Sequence, residues 1–174
     1  MGVNYLQQFE SLELNDQEDV EWHYIGKLQT KKIAKIVKNF DLIHSVDNFN
    51  SLIKINSAAE KLNKTQNLLL QVNLSKEDTK SGFYLEEIDQ VIAQFEDLNS
   101  VKLCGFMTMP PQEDGELYFR SLQELFNRCK LSFSQTPNVE LKYLSMGTSG
   151  DYLHALKYGA THIRLGTVLL GERE

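Results

Sequence analysis

The sequence predicts an α/β protein in which helices cover a parallel sheet. Three observations support this fold class. Short apolar runs alternate with segments whose apolar residues recur at helical spacing, as expected for consecutive β–α units. The connections between these segments are short. The chain has 174 residues, of which 41% are hydrophobic, and this suffices for one domain with a substantial core. We therefore expect a single domain over residues 1–174.

The first half of the chain contains three predicted strands. WHYIG (residues 22–26) ends in a glycine, LIHSVD (42–47) follows it, and NLLLQVNLS (67–75) is apolar almost throughout. A continuous apolar run of this kind is typical of a strand covered on both faces. The intervening segments, residues 28–40 and 48–64, place their apolar side chains near one helical stripe, and they predict two helices that pack on the sheet.

The second half continues the alternation. Pro110 and Pro111 stop the fourth strand, and Gly159 closes the last predicted helix. The predicted strands are KLCGFMTM (102–109), ELKYLSMG (140–147) and THIRLGTVLLG (161–171), and the predicted helices cover residues 84–98, 116–133 and 151–159.

Six strands leave two ways to arrange the sheet, an open doubly wound sheet or a (β/α) TIM-type barrel. No G-x-G-x-x-G fingerprint opens a helix, which argues against a dinucleotide-binding sheet. Polar residues collect just past the strand ends, among them His44, Asn73, Thr108 and Arg164. In a barrel these residues would face one mouth, where active sites are built. A complete barrel has eight strands, two more than are predicted here.

Composition and charge exclude several classes of partner. The net charge of −6 and the pI of about 5.3 argue against nucleic-acid binding. No apolar run approaches the roughly 18 residues of a membrane span, and the N-terminus lacks the parts of a signal peptide. Neither Cys104 and Cys129 nor any other cluster shows the spacing of metal ligands. We expect a cytoplasmic protein with buried free thiols and no metal.

The two closing strands carry features of a phosphate site. LSMGTSGD (144–151) ends in glycine and hydroxyl residues before a predicted helix, and the final strand contains Gly166 and Thr167. The Ser149 hydroxyl and the amides of Gly166 and Thr167 could form a phosphate cradle, which barrels often build after their last two strands. The alternative is that Ser149 or Asp151 only caps a helix and that Gly166 only makes a turn.

Arginine and histidine residues lie within predicted strands. Arg164 stands in an otherwise apolar strand and needs an anion or an acceptor, either a carboxylate across the sheet or an aromatic nitrogen of a ligand. His23 and His44 also lie on predicted strands. A lone histidine in such a place is more often a core residue with satisfied hydrogen bonds than a ligand.

Several motifs together resemble those of a known family. In the family's order, they are NYLQ at Asn4, EWHYIGKLQTKK at Glu21, HSVD at His44, QVNLSKEDTKSGF at Gln71, GFMTMP at Gly105, LSMGTSGDYLHAL at Leu144 and GATHIRLGTVLLGER at Gly159. The chain thereby resembles the pyridoxal phosphate homeostasis proteins, barrels related to the N-terminal domain of alanine racemase. The resemblance covers nearly the whole chain.

The resemblance implies a cofactor and its contacts. Pyridoxal 5′-phosphate would lie at the barrel mouth, with Ser149, Gly166 and Thr167 at its phosphate, Arg164 at its pyridine nitrogen and Asn4 nearby. The implied role is cofactor homeostasis without an established catalytic reaction, so we expect no enzyme. The alternatives are a non-covalent phosphate binder, an inactive remnant or, less favoured, an amino-acid racemase.

The chain also departs from the family's pattern. It contains no A-V-S-K-type segment, whose lysine forms the Schiff base in the family, and neither Lys27 nor Lys80 lies in such a motif. MGVN stands where the family has G-E-N, with Val3 in place of a glutamate. The resemblance thus implies an N-terminally truncated, incomplete barrel without its first strand and most of its second. We expect non-covalent cofactor binding and a homo-oligomer that covers the open edge.

Overall fold

Seven parallel strands form one sheet in the computed structural model, which describes residues 1–12, 20–77, 79–111 and 115–170, with Thr167 and Leu170 described by their backbone alone. The strands lie side by side in the order in which they occur along the chain. They are β1 (Gly2–Val3), β2 (His23–Tyr24), β3 (Leu42–Val46), β4 (Gln66–Gln71), β5 (Val101–Met107), β6 (Val139–Thr148) and β7 (His162–Arg164).

Helices connect the strands, as parallel pairing requires. They are α1 (Leu6–Glu10), α2 (Ile33–Asn39), α3 (Phe49–Lys61), α4 (Ile88–Ala93), α5 (Gly115–Ser132), α6 (Tyr152–Lys157) and α7 (Thr167–Leu170). Short 3₁₀ turns precede α2 and α4, and another follows α4. No helix in the described part of the chain is long and apolar enough to cross a membrane.

The sheet curves into a nearly closed barrel. The ring of His162 on β7 lies 5.4 Å from the ring of His23 on β2 and 5.5 Å from that of His44 on β3, measured between centroids. Strands from opposite ends of the strand order therefore face each other across a common interior. The predicted α/β barrel is confirmed, and the open doubly wound alternative is wrong.

Two features of the predicted strand pattern need correction. The described residues contain seven strands rather than six, because Gly2–Val3 pairs with β2; a two-residue strand carries no periodic signal. The last strand, predicted over residues 161–171, ends at Arg164, and the backbone is helical from Thr167. Residues 171–174 lie outside the described part of the chain.

The two faces of the sheet bury different side chains. Leu68 and Leu70 on β4 pack into the large cluster beneath the helices, whereas Leu69 between them packs with Cys104 and Met107 in a second cluster. Successive residues of a strand point to opposite faces, so β4 is buried on both, as its apolar run predicted. Cys104 and Cys129 are buried and free, which confirms the prediction of buried thiols.

Candidate functional site

The loops after β6 and β7 begin side by side at one end of the barrel. Thr148 at the end of β6 pairs in register with Arg164 at the end of β7. Beyond these residues, the Gly166 N–H donates a hydrogen bond of 3.4 Å to Ser149 Oγ. The structure thus brings together two of the predicted phosphate-site residues, which are separated by 17 positions in the sequence.

The loop after β6 is shaped by a glycine that tolerates no side chain. Gly147 has φ +90°, and a Cβ built on it would lie 2.7 Å from Ala155 Cβ and 2.9 Å from Tyr152 Cα. This glycine allows α6 to approach the end of β6 closely. Ser149 lies in the turn that follows β6.

Asp151 precedes α6 but does not cap it with its side chain. Its Oδ1 instead accepts hydrogen bonds from the backbone N–H of Thr148 at 2.6 Å and from Thr148 Oγ1 at 3.0 Å. Asp151 therefore occupies the N-cap position of α6, but its side chain makes no capping hydrogen bond to the helix. Ser149 Oγ faces the β7 loop, where it contacts Gly166.

Gly166 borders open space. Apart from its chain neighbours, no atom of the described residues lies within 4 Å of the position that a Cβ on this residue would occupy, which leaves space beside the backbone for a ligand. Thr167 begins α7, and its side chain lies outside the described part of the structure. Asn4 is exposed just after β1, with its carbonyl oxygen against Gly26; no described contact joins it to Ser149 or Arg164.

Arg164 is held by neutral oxygens. Its Nη1 donates to Ser145 Oγ at 2.8 Å and its Nη2 donates to the backbone oxygen of Thr108 at 2.8 Å. Within the described ranges, no carboxylate lies at salt-bridge distance from it. Burial lowers the pKa of Arg164 to about 10, with Asp151 acting in the opposite direction. The guanidinium therefore remains a cation at neutral pH and can meet an acceptor on a ligand.

The rings of three histidines, His23, His44 and His162, cluster in the barrel interior, with centroids 5.1–5.5 Å apart. His44 Nδ1 lies 2.9 Å from Ser145 Oγ, and His44 Nε2 lies 3.1 Å from His23 Nδ1. Burial, followed by the nearby His23, His162 and Arg164, lowers the pKa of His44 to about 2. Burial also lowers the pKa of His23 and His162, so all three rings are neutral at pH 7.

His44 has the satisfied hydrogen bonds expected of a core histidine, but its link to Arg164 was not predicted. The alternation along a strand could have indicated which face it occupies, since His44 lies two residues after Leu42. Strand alternation says nothing about Ser145, which comes from a strand about a hundred residues later in the chain.

A cavity of about 350 Å³ lies at the ends of β4 and β5, lined in part by Asn73, Lys80 and Thr108; the backbone oxygen of Thr108 also accepts the hydrogen bond from Arg164. Asn73 Nδ2 donates to the carbonyl oxygens of Glu77 and Lys80 at 3.0 and 3.1 Å. These hydrogen bonds connect the end of β4 to the loop that follows it. Lys80 Nζ pairs with Glu77 Oε1 at 3.2 Å. A second cavity, of about 490 Å³, lies between α2 and α3 in the outer helical layer, away from the strand ends.

Comparison with known proteins identifies the family. The family model for the N-terminal domain of alanine racemase matches residues 1–174. The pyridoxal phosphate homeostasis protein of Synechocystis sp. is 43% identical over 164 residues, which cover 92% of this chain and 73% of that protein. The chain belongs to the pyridoxal phosphate homeostasis protein family. The family's member from Aquifex aeolicus is 39% identical over 178 residues, which cover 99% of this chain and 76% of the relative.

Solved structures agree with this family assignment. PipY of Synechococcus elongatus with pyridoxal phosphate bound has a TM-score of 0.85 and 32% identity, over 98% of this chain and 80% of PipY. Alanine racemase of Clostridium difficile has a TM-score of 0.68 at 16% identity, over 99% of this chain and 44% of the racemase, and shares the fold. The predicted family is confirmed, while the single-domain boundaries and the roles of the five candidate residues stay predictions.

Proposed function

We propose that this chain binds pyridoxal 5′-phosphate at the barrel mouth and serves in cofactor homeostasis rather than catalysis. The relatives named as homeostasis proteins and the cofactor bound in PipY support the ligand. The observation that carries the proposal is the contact between Ser149 and Gly166 beside open space, just past the paired ends of β6 and β7, where Arg164 is the last residue of β7.

The described residues fit the phosphate end of the cofactor. A phosphate group is held by hydroxyls and backbone N–H donors that converge on it. Ser149 supplies a hydroxyl, and opposite it stand the backbone amides of Gly166, whose N–H now donates to Ser149 Oγ at 3.4 Å, and of Thr167, the first residue of α7. The absence of a Cβ at Gly166 leaves room for the phosphate oxygens.

Arg164 fits the ring end. A guanidinium has five N–H donors and no acceptor, and two of its nitrogens already contact Ser145 and Thr108. We propose that a remaining N–H faces the pyridine nitrogen, with Asn4 lining the mouth at the end of β1. When bound, the cofactor supplies an electron-sink ring, and an arginine that donates to its nitrogen keeps the nitrogen unprotonated and weakens that sink. This favours carriage of the cofactor over amino-acid chemistry.

Binding through this chain alone is proposed to be non-covalent. None of the lysines among the 174 residues stands in an A-V-S-K-type motif. Lys27 is exposed beyond β2, and Lys80 is paired with Glu77. Borohydride reduction in the presence of pyridoxal phosphate, followed by peptide mapping, is expected to yield no specific lysine adduct. A single stoichiometric adduct would show the binding to be covalent.

Titration with pyridoxal phosphate, followed by absorbance, tests the site. Ser149→Ala is expected to weaken binding about tenfold or more, because it removes a charge-assisted hydrogen bond to the phosphate. Gly166→Ala is expected to weaken binding by a similar factor, because its methyl group takes space that the phosphate oxygens would occupy. The matched control is Ser121→Ala, whose hydroxyl bonds only within α5. Pyridoxal without its phosphate should bind far more weakly than the phosphate ester. Equal binding of the two compounds, or unchanged binding by both site variants, would refute the proposed cradle.

A homo-oligomer that covers the barrel edge is proposed as well. In the described sheet, β1 and β7 each have one strand neighbour, and unpaired strand edges invite pairing with another chain. Sedimentation velocity at micromolar concentration is expected to show a dimer or larger species. A monomer throughout the concentration range would contradict this proposal.

A further inference from the structure

Four side chains form a continuous line of hydrogen bonds through the barrel interior. Arg164 Nη1 lies 2.8 Å from Ser145 Oγ, Ser145 Oγ lies 2.9 Å from His44 Nδ1, and His44 Nε2 lies 3.1 Å from His23 Nδ1. The line crosses from β7 through β6 and β3 to β2, and both Ser145 and His44 are buried. We call these four residues the Arg164 relay.

The donors and acceptors of the relay give it a direction. Arginine only donates, so Ser145 Oγ accepts from Arg164 and is free to donate its own hydrogen to His44 Nδ1. His44 then carries its proton on Nε2 and donates it to His23 Nδ1. His23 in turn carries its proton on Nε2, which lies 3.7 Å from Glu21 Oε2. The hydrogens of Arg164, Ser145 and His44 within the relay thus all have acceptors, and the final His23 hydrogen lies on the side of the Glu21 carboxylate.

The opposite direction leaves the Ser145 hydrogen without an acceptor and places a His23 lone pair toward a carboxylate. If His23 donated to His44 and His44 donated to Ser145, the Ser145 hydrogen would have no acceptor among the described hydrogen bonds. The lone pair of His23 Nε2 would also face the Glu21 carboxylate. A buried polar hydrogen without a partner is strongly unfavourable, so the first direction is preferred.

Both histidines are neutral in this arrangement, as the relay requires. Burial and the neighbouring positive groups lower the pKa of His44 to about 2, and burial lowers the pKa of His23. A doubly protonated His44 would have no lone pair at Nδ1 for the Ser145 hydrogen and would add a cation beside Arg164.

We propose that Ser145, His44 and His23 are positioning residues that hold the Arg164 guanidinium at the barrel mouth, with both histidines in the Nε2–H tautomer. The carbonyl of Thr108 fixes the other terminal nitrogen, so two anchors define the plane of the guanidinium. A cation oriented before the ligand arrives loses less freedom on binding. The identity of the ligand rests on the proposed function, whereas the relay is a property of the protein without a ligand.

The first test uses nitrogen NMR on the ligand-free protein labelled with ¹⁵N-histidine and ¹⁵N-arginine. At pH 7.5, His23 and His44 are expected to show protonated Nε2 and unprotonated Nδ1, and the Arg164 Nη–H groups are expected to give resolved signals that report hindered rotation. An Nδ1–H tautomer at His44, or freely rotating Arg164 nitrogens, would overturn the relay.

Variants separate hydrogen bonding from packing. Ser145→Ala removes the hydroxyl, and Ser145→Cys keeps a similar volume with only a weak hydrogen-bonding group; both are expected to broaden the Arg164 signals. His44→Asn, whose Oδ1 can accept the Ser145 hydrogen, is expected to retain them, whereas His44→Phe is expected to lose them. Circular dichroism establishes that each variant is folded. Retained signals in folded Ser145→Ala would show that Ser145 does not position Arg164.

The second test measures pyridoxal phosphate binding. Ser145→Ala and Ser145→Cys are expected to weaken it about tenfold, and His44→Asn to weaken it less. Unchanged affinity in both Ser145 variants, with their Arg164 signals lost, would show that the relay has no role in binding. If the unmodified protein fails to bind the cofactor, the proposed function is wrong, and the ligand-free spectra still decide whether the relay exists.

Discussion

Acidification from pH 8 to pH 5.5 is expected to destabilise the protein through its interior histidines. Folding lowers the pKa of His23, His44 and His162 below the ordinary value of 6.5. Below pH 6.5 the unfolded chain therefore binds protons that the folded protein rejects. The free energy of unfolding rises with pH wherever the unfolded state binds more protons, so it falls as the pH is lowered through this window.

The magnitude follows from the pKa of His44. With a pKa near 6.5 when unfolded and about 2 when folded, His44 alone removes about 1.4 kcal/mol between pH 8 and pH 5.5 by proton linkage. His23 and His162 act in the same direction, and three such groups set an upper limit of about 4 kcal/mol. Typical domains have only about 5–15 kcal/mol of stability, so the effect is large.

The charges around the cluster differ in sign. Arg164 and the amino group of Met1 lower the pKa of His44 further. Glu21 and Asp41 favour protonated His23, and Glu21 favours protonated His162. Glu21 and Asp41 therefore reduce the contribution of His23 and His162 to the loss of stability in acid, while His44 remains neutral between pH 8 and pH 5.5.

Urea unfolding at half-unit steps between pH 8 and pH 5.5 measures the response. Most carboxylates titrate below this range, near pH 4. His44→Gln is expected to reduce the loss of unfolding free energy by about 1.4 kcal/mol at pH 5.5, and exposed His154→Gln serves as the control for losing a histidine. A pH-independent free energy of unfolding, or equal slopes for His44→Gln and the unmodified protein, would refute the linkage argument.

Three further predictions concern stability and are checked by urea unfolding at pH 7.5. Gly147→Ala is expected to lose about 1–3 kcal/mol or more, because its φ is +90° and the new Cβ would meet Ala155 at 2.7 Å; stability equal to the parent would contradict the close approach of α6. Phe106→Ala, at a fully buried position, is expected to lose about 3–5 kcal/mol, and a loss below 1 kcal/mol would mean that this part of the core is not packed as described. Asn48→Ala should lose about 1 kcal/mol, because Asn48 Oδ1 accepts the Ser51 N–H at 2.9 Å at the start of α3, whereas Asn48→Asp should retain most of that stability.

Much of the fold could be predicted because its signals are local. The run at residues 67–75 indicated a strand buried on both faces, and β4 has this property. The stripe within residues 48–64 predicted α3, which begins after the Asn48 cap. The boundaries failed where local signals were weak or misleading. Gly2–Val3 is too short to show a period, and the apolar residues after Gly166 continue as a helix rather than as a strand.

The candidate site was predicted only as a set of residues. The order of the motifs placed Ser149 and Gly166 on consecutive strand ends, and the structure adds their direct contact. For Arg164 the sequence left open a carboxylate or a ligand acceptor, and the structure shows neutral oxygens from β6 and from the residue after β5. Asn4 lies at the end of β1, and its predicted place beside the cofactor stays a prediction.

The sequence by itself determined the alternation of strands and helices, the family and the residues that could hold a phosphate. These depend on periodicity, turn chemistry and motif order, all of which are read over short distances along the chain. Only the tertiary structure decided that His23 and His44 reach Ser145 and Arg164. That contact exists because parallel strands remote in sequence curve around one interior, and the register of their pairing determines which side chains meet inside it.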